Sequence, residues 1–285
     1  MIKIILADPH GFCFGITRAI DIATKTSRNK NKPIFFLGEL VHNQHVVDWL
    51  ETKLKIKTVQ SLDDIPPGSI VIIRAHGASS EVFQQAKDRG LEIVDASCPL
   101  VQKSHQTVKD LVGRRNQIIF LCNKIDHDET VGIVGESPKS ITPVTIENIF
   151  NYVPKNPKNT VVMTQTTLST IETQKALGFV KTKYPQATVL PHICQATTDR
   201  QNAIIKLAKK YKFVIIVGSP TSANSNSLKS VAESSGATAF IVDNASQLNP
   251  NWFKDQKNVA ISSGASTPES VLNEVIEKIK EITRP

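Results

Sequence analysis

Short apolar runs punctuate the chain from one end to the other. They fall at Ile2–Leu6, Ile34–Leu37, Ile70–Ile73, Glu92–Val94, Ile118–Cys122, Val161–Met163, Thr188–Leu190, Phe213–Val217, Phe240–Val242 and Val259–Ile261. Most are rich in β-branched residues and too short for buried helices, so they predict strands. Between many of them lie amphipathic segments of helical length, such as SSEVFQQAKDR at Ser79–Arg89 and PESVLNEVIEKIKEI at Pro268–Ile282. Strands alternating with helices predict an α/β fold with small parallel sheets flanked by helices.

The polar residues with chemical potential stand just after the strands. GELVHN follows the run at Ile34, RAHG that at Ile70, and DASCP that at Glu92; TQTTLS, GSPTSANSNS and SSGASTPE follow the runs at Val161, Phe213 and Val259. Ligands of open α/β sheets bind at the carboxyl ends of the strands. These loops meet at one site if the sheets face a common centre.

Three of the four cysteines share a setting. Cys13, Cys98 and Cys194 each lie between a strand and a helix, 85 and 96 residues apart. That spacing predicts three similar α/β units, over 14–97, over 98–192, and over 1–13 together with 193–285. Unpaired N–H groups and partial positive charge at a helix start favour a thiolate, so Cys98, followed by Pro99 at the first helical position, is expected to ionise readily. Close C-x-x-C pairs and ferredoxin spacing are both absent from the sequence. The three thiols therefore either pack separately or share an iron–sulfur cluster that the fold assembles. A four-iron cluster on three thiolates keeps one iron open. Cys122 ends an apolar run and is expected to pack as a small buried hydrophobe.

His42, His76 and His127 follow strands as the cysteines do, and imidazole donates to phosphate. Ser222, Asn224 and Ser266 add short donors at helix mouths, an arrangement that suits an anion but equally serves N-capping. G-x-G-x-x-G, the P-loop and H-E-x-x-H are missing, which argues against a familiar nucleotide enzyme or zinc protease. The excess of 34 basic over 26 acidic residues leaves a formal charge of +8 and favours an anionic ligand or an acidic partner. The lysines are scattered, with no basic stripe interleaved with aromatics, so nucleic acid is not expected. No apolar stretch approaches the ~20 residues of a membrane helix. The first residues read as a strand and a loop rather than a leader, so the expected location is the cytoplasm, with cysteines reduced, metal-binding or catalytic.

The ordered set GFCFGITRAI, GELVHN, RAHG, DASCPLV, HDETVG, TQTTLS, ICQATTDRQ, GSPTSANSNSL and SSGASTPE, spread over residues 11–269, resembles the 4-hydroxy-3-methylbut-2-enyl diphosphate reductase family, which catalyses the last step of the non-mevalonate isoprenoid pathway. The resemblance implies three α/β domains in pseudo-threefold array around a 4Fe-4S cluster on Cys13, Cys98 and Cys194. It implies a substrate diphosphate on His42, His76, His127, Ser222, Asn224 and Ser266, and Glu129 as proton source with Thr166 rather than Thr167 beside it. It implies two-electron reductive dehydroxylation to isopentenyl and dimethylallyl diphosphate. Electrons would come from flavodoxin or ferredoxin, since the chain has no flavin or nicotinamide fingerprint. The chain departs from the family pattern at Ala223, where a second serine is usual. It departs again at Asp126-His127-Asp128-Glu129, where Gly-His-Pro-Glu is common. Asp128 is expected to raise the pKa of His127. Two other readings compete: a zinc hydrolase of phosphate esters using Cys and His ligands, and a nucleic-acid binder resting on charge alone.

Overall fold

The computed structural model describes residues 2–29 and 31–284, leaving Met1, Lys30 and Pro285 of the predicted units outside the described residues. Twelve strands follow in chain order: β1 (Lys3–Leu6), β2 (Ile34–Leu37), β3 (Lys57–Val59), β4 (Ile70–Ile73), β5 (Glu92–Asp95), β6 (Gln117–Cys122), β7 (Ile141–Thr145), β8 (Thr160–Thr164), β9 (Thr188–Leu190), β10 (Phe213–Val217), β11 (Thr238–Val242) and β12 (Asn258–Ser263). The helices are α1 (Phe14–Thr26), α2 (Gln44–Leu54), α3 (Ser80–Asp88), α4 (Pro99–Gly113), α5 (Asp128–Val134), α6 (Thr170–Lys183), α7 (Gln195–Lys210), α8 (Ala223–Ser234) and α9 (Glu269–Ile282).

The strands form three parallel four-stranded sheets, ordered β3-β2-β4-β5, β7-β6-β8-β9 and β11-β10-β12-β1. The order is the same in all three: second, first, third, fourth. In the last sheet the fourth place is taken by the N-terminal strand, with Lys3 opposite Asn258. Two strands escape the apolar pattern. β3 is short and polar, and β7 carries Pro143, which the sheet tolerates because β7 lies at an edge.

Continuous apolar runs form the central strands because both sheet faces are covered. On one face of the last sheet, Ile215, Val217, Val259 and Ile261 pack with Leu272, Val275 and Ile279 of α9. On the other face, Val214, Ile216 and Ala260 pack with Ile204 and Ala208 of α7 and Leu228 and Val231 of α8. Neighbours in sequence thus enter different cores, as a period of two requires.

A ring of contacts joins the three sheets. From α1, Arg18 Nη1 donates to the carbonyl of Ser97, 3.0 Å away, just before Cys98. From α4, Ser104 Oγ meets His192 Nδ1 at 3.1 Å, just before Cys194. From α7, Arg200 Nη2 donates to the carbonyl of Gly11 at 2.8 Å, just before Cys13. Each helix that begins at one cysteine reaches the loop that leads into the next. Arg200 is only 3% exposed and also donates to Ala196 O at 3.1 Å. Arg200→Met keeps the stem and removes both charged hydrogen bonds. It is expected to lower the unfolding free energy by about 2–3 kcal/mol, read from urea melts; an unchanged midpoint refutes the ring as a structural tie.

Candidate active site

The three cysteines are the N-caps of α1, α4 and α7. One backbone bond places each of them. The N–H of Cys98 donates to Ala75 O at 2.9 Å, that of Cys194 to Thr166 O at 3.0 Å, and that of Cys13 to Ala265 O at 3.1 Å. Each acceptor lies two residues beyond the third strand of its sheet, so the loop after strand three and the helix after strand four are tied in the same way three times. A Cβ added to Gly15 would stand 2.7 Å from Cys98 Sγ and 3.9 Å from Cys13 Sγ. Only glycine leaves that space to the thiols.

The expectation of readily ionised thiols is corrected by burial. It pushes the Cys98 and Cys194 thiols up, against the lowering by N–H groups at their helix starts; the charges of Cys13 and Glu129 add to the rise. Cys194 Sγ has Thr197 Oγ1 at 3.1 Å. Cys122 is fully buried and far from this role: its thiol meets Val144 O at 3.6 Å and burial pushes it up to about 11.

Glu129 sits in the first turn of α5 and is 1% exposed. Thr166 donates to both of its oxygens, N–H to Oε1 and Oγ1 to Oε2, each at 2.8 Å. Thr167 instead accepts from Gln165 Nε2 at 3.0 Å. Burial raises Glu129 to about 7 despite the two bonds, which favour the carboxylate.

His42, His76 and His127 form a compact trio. The rings of His42 and His76 stack with centroids 4.5 Å apart, and His127 stands edge-on to them at 5.4 and 5.6 Å. One nitrogen from each lies within 4.8 Å of the others. Burial, then the other two imidazoles and Arg74, holds His76 well below the ordinary value. His127 is lowered to about 4 by burial, then by His42 and Arg74. The expected lift from Asp128 does not occur. Asp128 turns away from its neighbour His127 and toward Arg74 and His42, at 2.9 and 3.4 Å. His76 Nδ1 is buried and has no hydrogen-bond partner.

The same cavity is bordered by Ser222, which caps α8 by accepting from Ser225 N, and Asn224, whose Oδ1 accepts from Ala265 N at 3.0 Å. Ser222 thus does perform the capping that its position suggested, while its side chain also borders the cavity. A single cavity, enclosing about 750 Å³ with its mouth included, is lined by Cys13, Cys98, Cys194, His42, His76, His127, Glu129, Thr166, Ser222, Asn224 and Ser266. Ala223 lines it as well, without a hydroxyl.

Sequence reasoning passed over several neighbours. Arg74 and Arg200 lay inside quoted motifs but were not singled out. His105, two helical turns after Cys98, binds Glu136 at 2.6 Å, and its ring packs against Gly77, next to His76, and Gly132, one turn after Glu129 in α5. The two glycines do not stand in equivalent places, Gly77 in the loop after β4 and Gly132 inside α5, so the sequence carried no shared signal for His105.

The LytB protein family matches residues 4–280. The chain is 39% identical to 4-hydroxy-3-methylbut-2-enyl diphosphate reductase of Methylibium petroleiphilum, over 98% of this chain and 85% of that one. It is 38% identical to the reductase of the same name from Shewanella halifaxensis, over 98% and 92%. The solved E-1-hydroxy-2-methyl-but-2-enyl-4-diphosphate reductase of Plasmodium falciparum superposes with a TM-score of 0.92 at 31% identity, covering 100% of this chain and 89% of that one.

Glu129 and His127 are shifted in opposite directions. Between about pH 4 and about 7 the carboxyl is protonated while the imidazole is neutral. A carboxyl raised in this way stabilises the fold while protonated, and the contribution fades as pH rises through about 7. Carboxyl-carbon NMR of the ligand-free protein is expected to show one glutamate titrating near pH 7, absent in Glu129→Gln. A spectrum with every glutamate midpoint below 5 contradicts the burial argument.

Proposed function

The chain belongs to the LytB family of 4-hydroxy-3-methylbut-2-enyl diphosphate reductases, and from that membership we propose that this cavity carries out the reductive dehydroxylation itself. The substrate takes up two electrons and two protons, its allylic C–O bond breaks, water leaves, and isopentenyl or dimethylallyl diphosphate remains. What carries the reading is the convergence of three thiols, three imidazoles and one buried carboxyl on a single cavity.

A 4Fe-4S cluster fits the thiols present. The donor set is three unpaired cysteines, the Gly15 cradle is clear of side chain, and burial holds the Cys98 and Cys194 thiols up, a bias that a bound metal would offset. Cys13, Cys98 and Cys194 would hold it. When bound, such a cluster supplies electrons and Lewis acidity at an iron without a protein ligand.

The remaining chemistry belongs to the side chains. His76 and His127 are neutral in the ligand-free site, and an incoming diphosphate favours their charged, donating forms. It offers an acceptor to the unpartnered His76 Nδ1. Ser222, Asn224 and Ser266 donate from the same cavity. These contacts fix the substrate's position, which is the proximity contribution to rate. Glu129 holds a proton up to about pH 7, with both oxygens oriented by Thr166, and releases it to the reacting substrate. The three imidazole nitrogens also converge as a zinc triad does. The guanidinium of Arg74 beside them and the Ser and Asn donors of the same cavity favour an anion over a cation. The division into units 14–97, 98–192 and 1–13 with 193–285 gives each one a four-stranded sheet, a loop after strand one and a loop after strand three, with Cys13, Cys98 and Cys194 at the unit boundaries. The chain has no electron carrier of its own by motif, so the donor is a separate acidic protein, flavodoxin or ferredoxin, suited to a +8 partner. No helix among the described residues is long and apolar enough to cross a membrane.

Protein purified without oxygen is expected to be brown and to contain iron and acid-labile sulfide. Cys98→Ser is expected to lose most of that colour and Cys122→Ala to keep it. Colourless protein with stoichiometric zinc overturns the cluster and favours the hydrolase. Glu129→Gln should retain the cluster and lose turnover by about 10²- to 10⁴-fold; near-normal turnover removes Glu129 as the proton source.

A further inference from the structure

Arg74 and Asp128 border the histidine trio and have no role in the chemistry above. Arg74 is the first residue after β4, and its side chain is 20% exposed. Its guanidinium lies over Gly38, at φ +72°, where any Cβ would collide with it. Nη2 forms an ion pair with Asp128 Oδ1 at 2.9 Å. The other carboxylate oxygen of Asp128 lies 3.4 Å from His42 Nε2 and 4.0 Å from His76 Nδ1. His42 Nδ1 faces Glu39 at 3.4 Å. Both nitrogens of His42 therefore face carboxylates, and neither is free for a ligand.

We infer that Asp128, latched by Arg74, is an internal counter-anion that stands in for the ligand's phosphate at His42, so that Asp128 weakens and Arg74 strengthens the binding of a diphosphate. The inference rests on the diphosphate reading of this cavity. Three clustered imidazoles and a guanidinium repel one another when charged, and partial burial limits the screening by water. A carboxylate among them steadies the empty site. The same carboxylate opposes a second anion and occupies the approach to His42 Nε2. An arginine that releases Asp128 can neutralise the newcomer, and one that stays bound keeps Asp128 neutralised. Stability of the empty site is thus gained at the expense of affinity.

Asp128 is the first residue of α5. Proline, common in the family at this place, suits a first helical position, so Asp128→Pro serves as a second variant beside Asp128→Asn. Inorganic pyrophosphate is titrated calorimetrically into the full chain, with thermal melts in parallel. Both Asp128 variants are expected to bind pyrophosphate about tenfold more tightly, the size of one hydrogen bond to a charged group. Without ligand they should melt lower than wild type, and pyrophosphate should raise their melting temperature by more. Arg74→Gln, which leaves Asp128 unneutralised, should bind about tenfold more weakly. Unchanged or weaker binding in folded Asp128 variants overturns the inference and leaves a purely structural ion pair. Wild-type protein that binds no pyrophosphate sinks the diphosphate reading, and this inference with it. A wild type that binds while the Asp128 variants fail to gain isolates the failure here.

Discussion

One backbone hydrogen bond, made three times, sets the positions on which the site depends. Each cysteine N–H donates to a carbonyl two residues past the third strand of its own sheet. The bond fastens a helix start to the loop that carries His76, Thr166 or Ser266. A thiol and a ligand-facing donor are thereby placed together by main-chain geometry, which is stiffer than side-chain packing. The ring through Arg18, Ser104 and Arg200 then orients the three sheets around a shared middle. Neither element suffices alone. Without the ring, three well-formed thiol turns would point at three separate patches of surface.

Burial is the second organising force, and at five groups of the cavity it acts in one sense. It disfavours charge, so it raises Glu129 and the Cys98 and Cys194 thiols and lowers His76 and His127. The ligand-free cavity therefore holds far less charge than its residue list suggests. A bound cluster would favour ionised thiols, and an anionic ligand would favour charged His76 and His127. Glu129 holds its proton up to about pH 7 in the ligand-free site, which suits the donation proposed for it.

Much of this was legible along the chain. The ten apolar runs are strands, because strands buried on both faces need continuous apolar stretches. β3 and β7 were not legible, because an edge strand needs little apolar character and β7 even contains Pro143. Cys122 was readable as a core residue from the run it terminates. The thiol pKa direction was misread at Cys98 because a helix start is a local feature and desolvation is not. Asp128 was misassigned to His127 for the same reason: adjacency in sequence says nothing of where a side chain points, and this one points to Arg74, on a different sheet.

The sequence by itself determined the residue types, their order, and their placement after strands. Those follow from local periodicity and from the chemistry of cysteine, histidine and glutamate. The tertiary structure alone decided that β1 pairs with β12 in particular, that Thr166 donates to both oxygens of Glu129, and that Arg74 and Asp128 join the histidines. Pairing across more than two hundred residues, and the loss of water around a charge, are properties of the assembled interior. No window of the chain contains them.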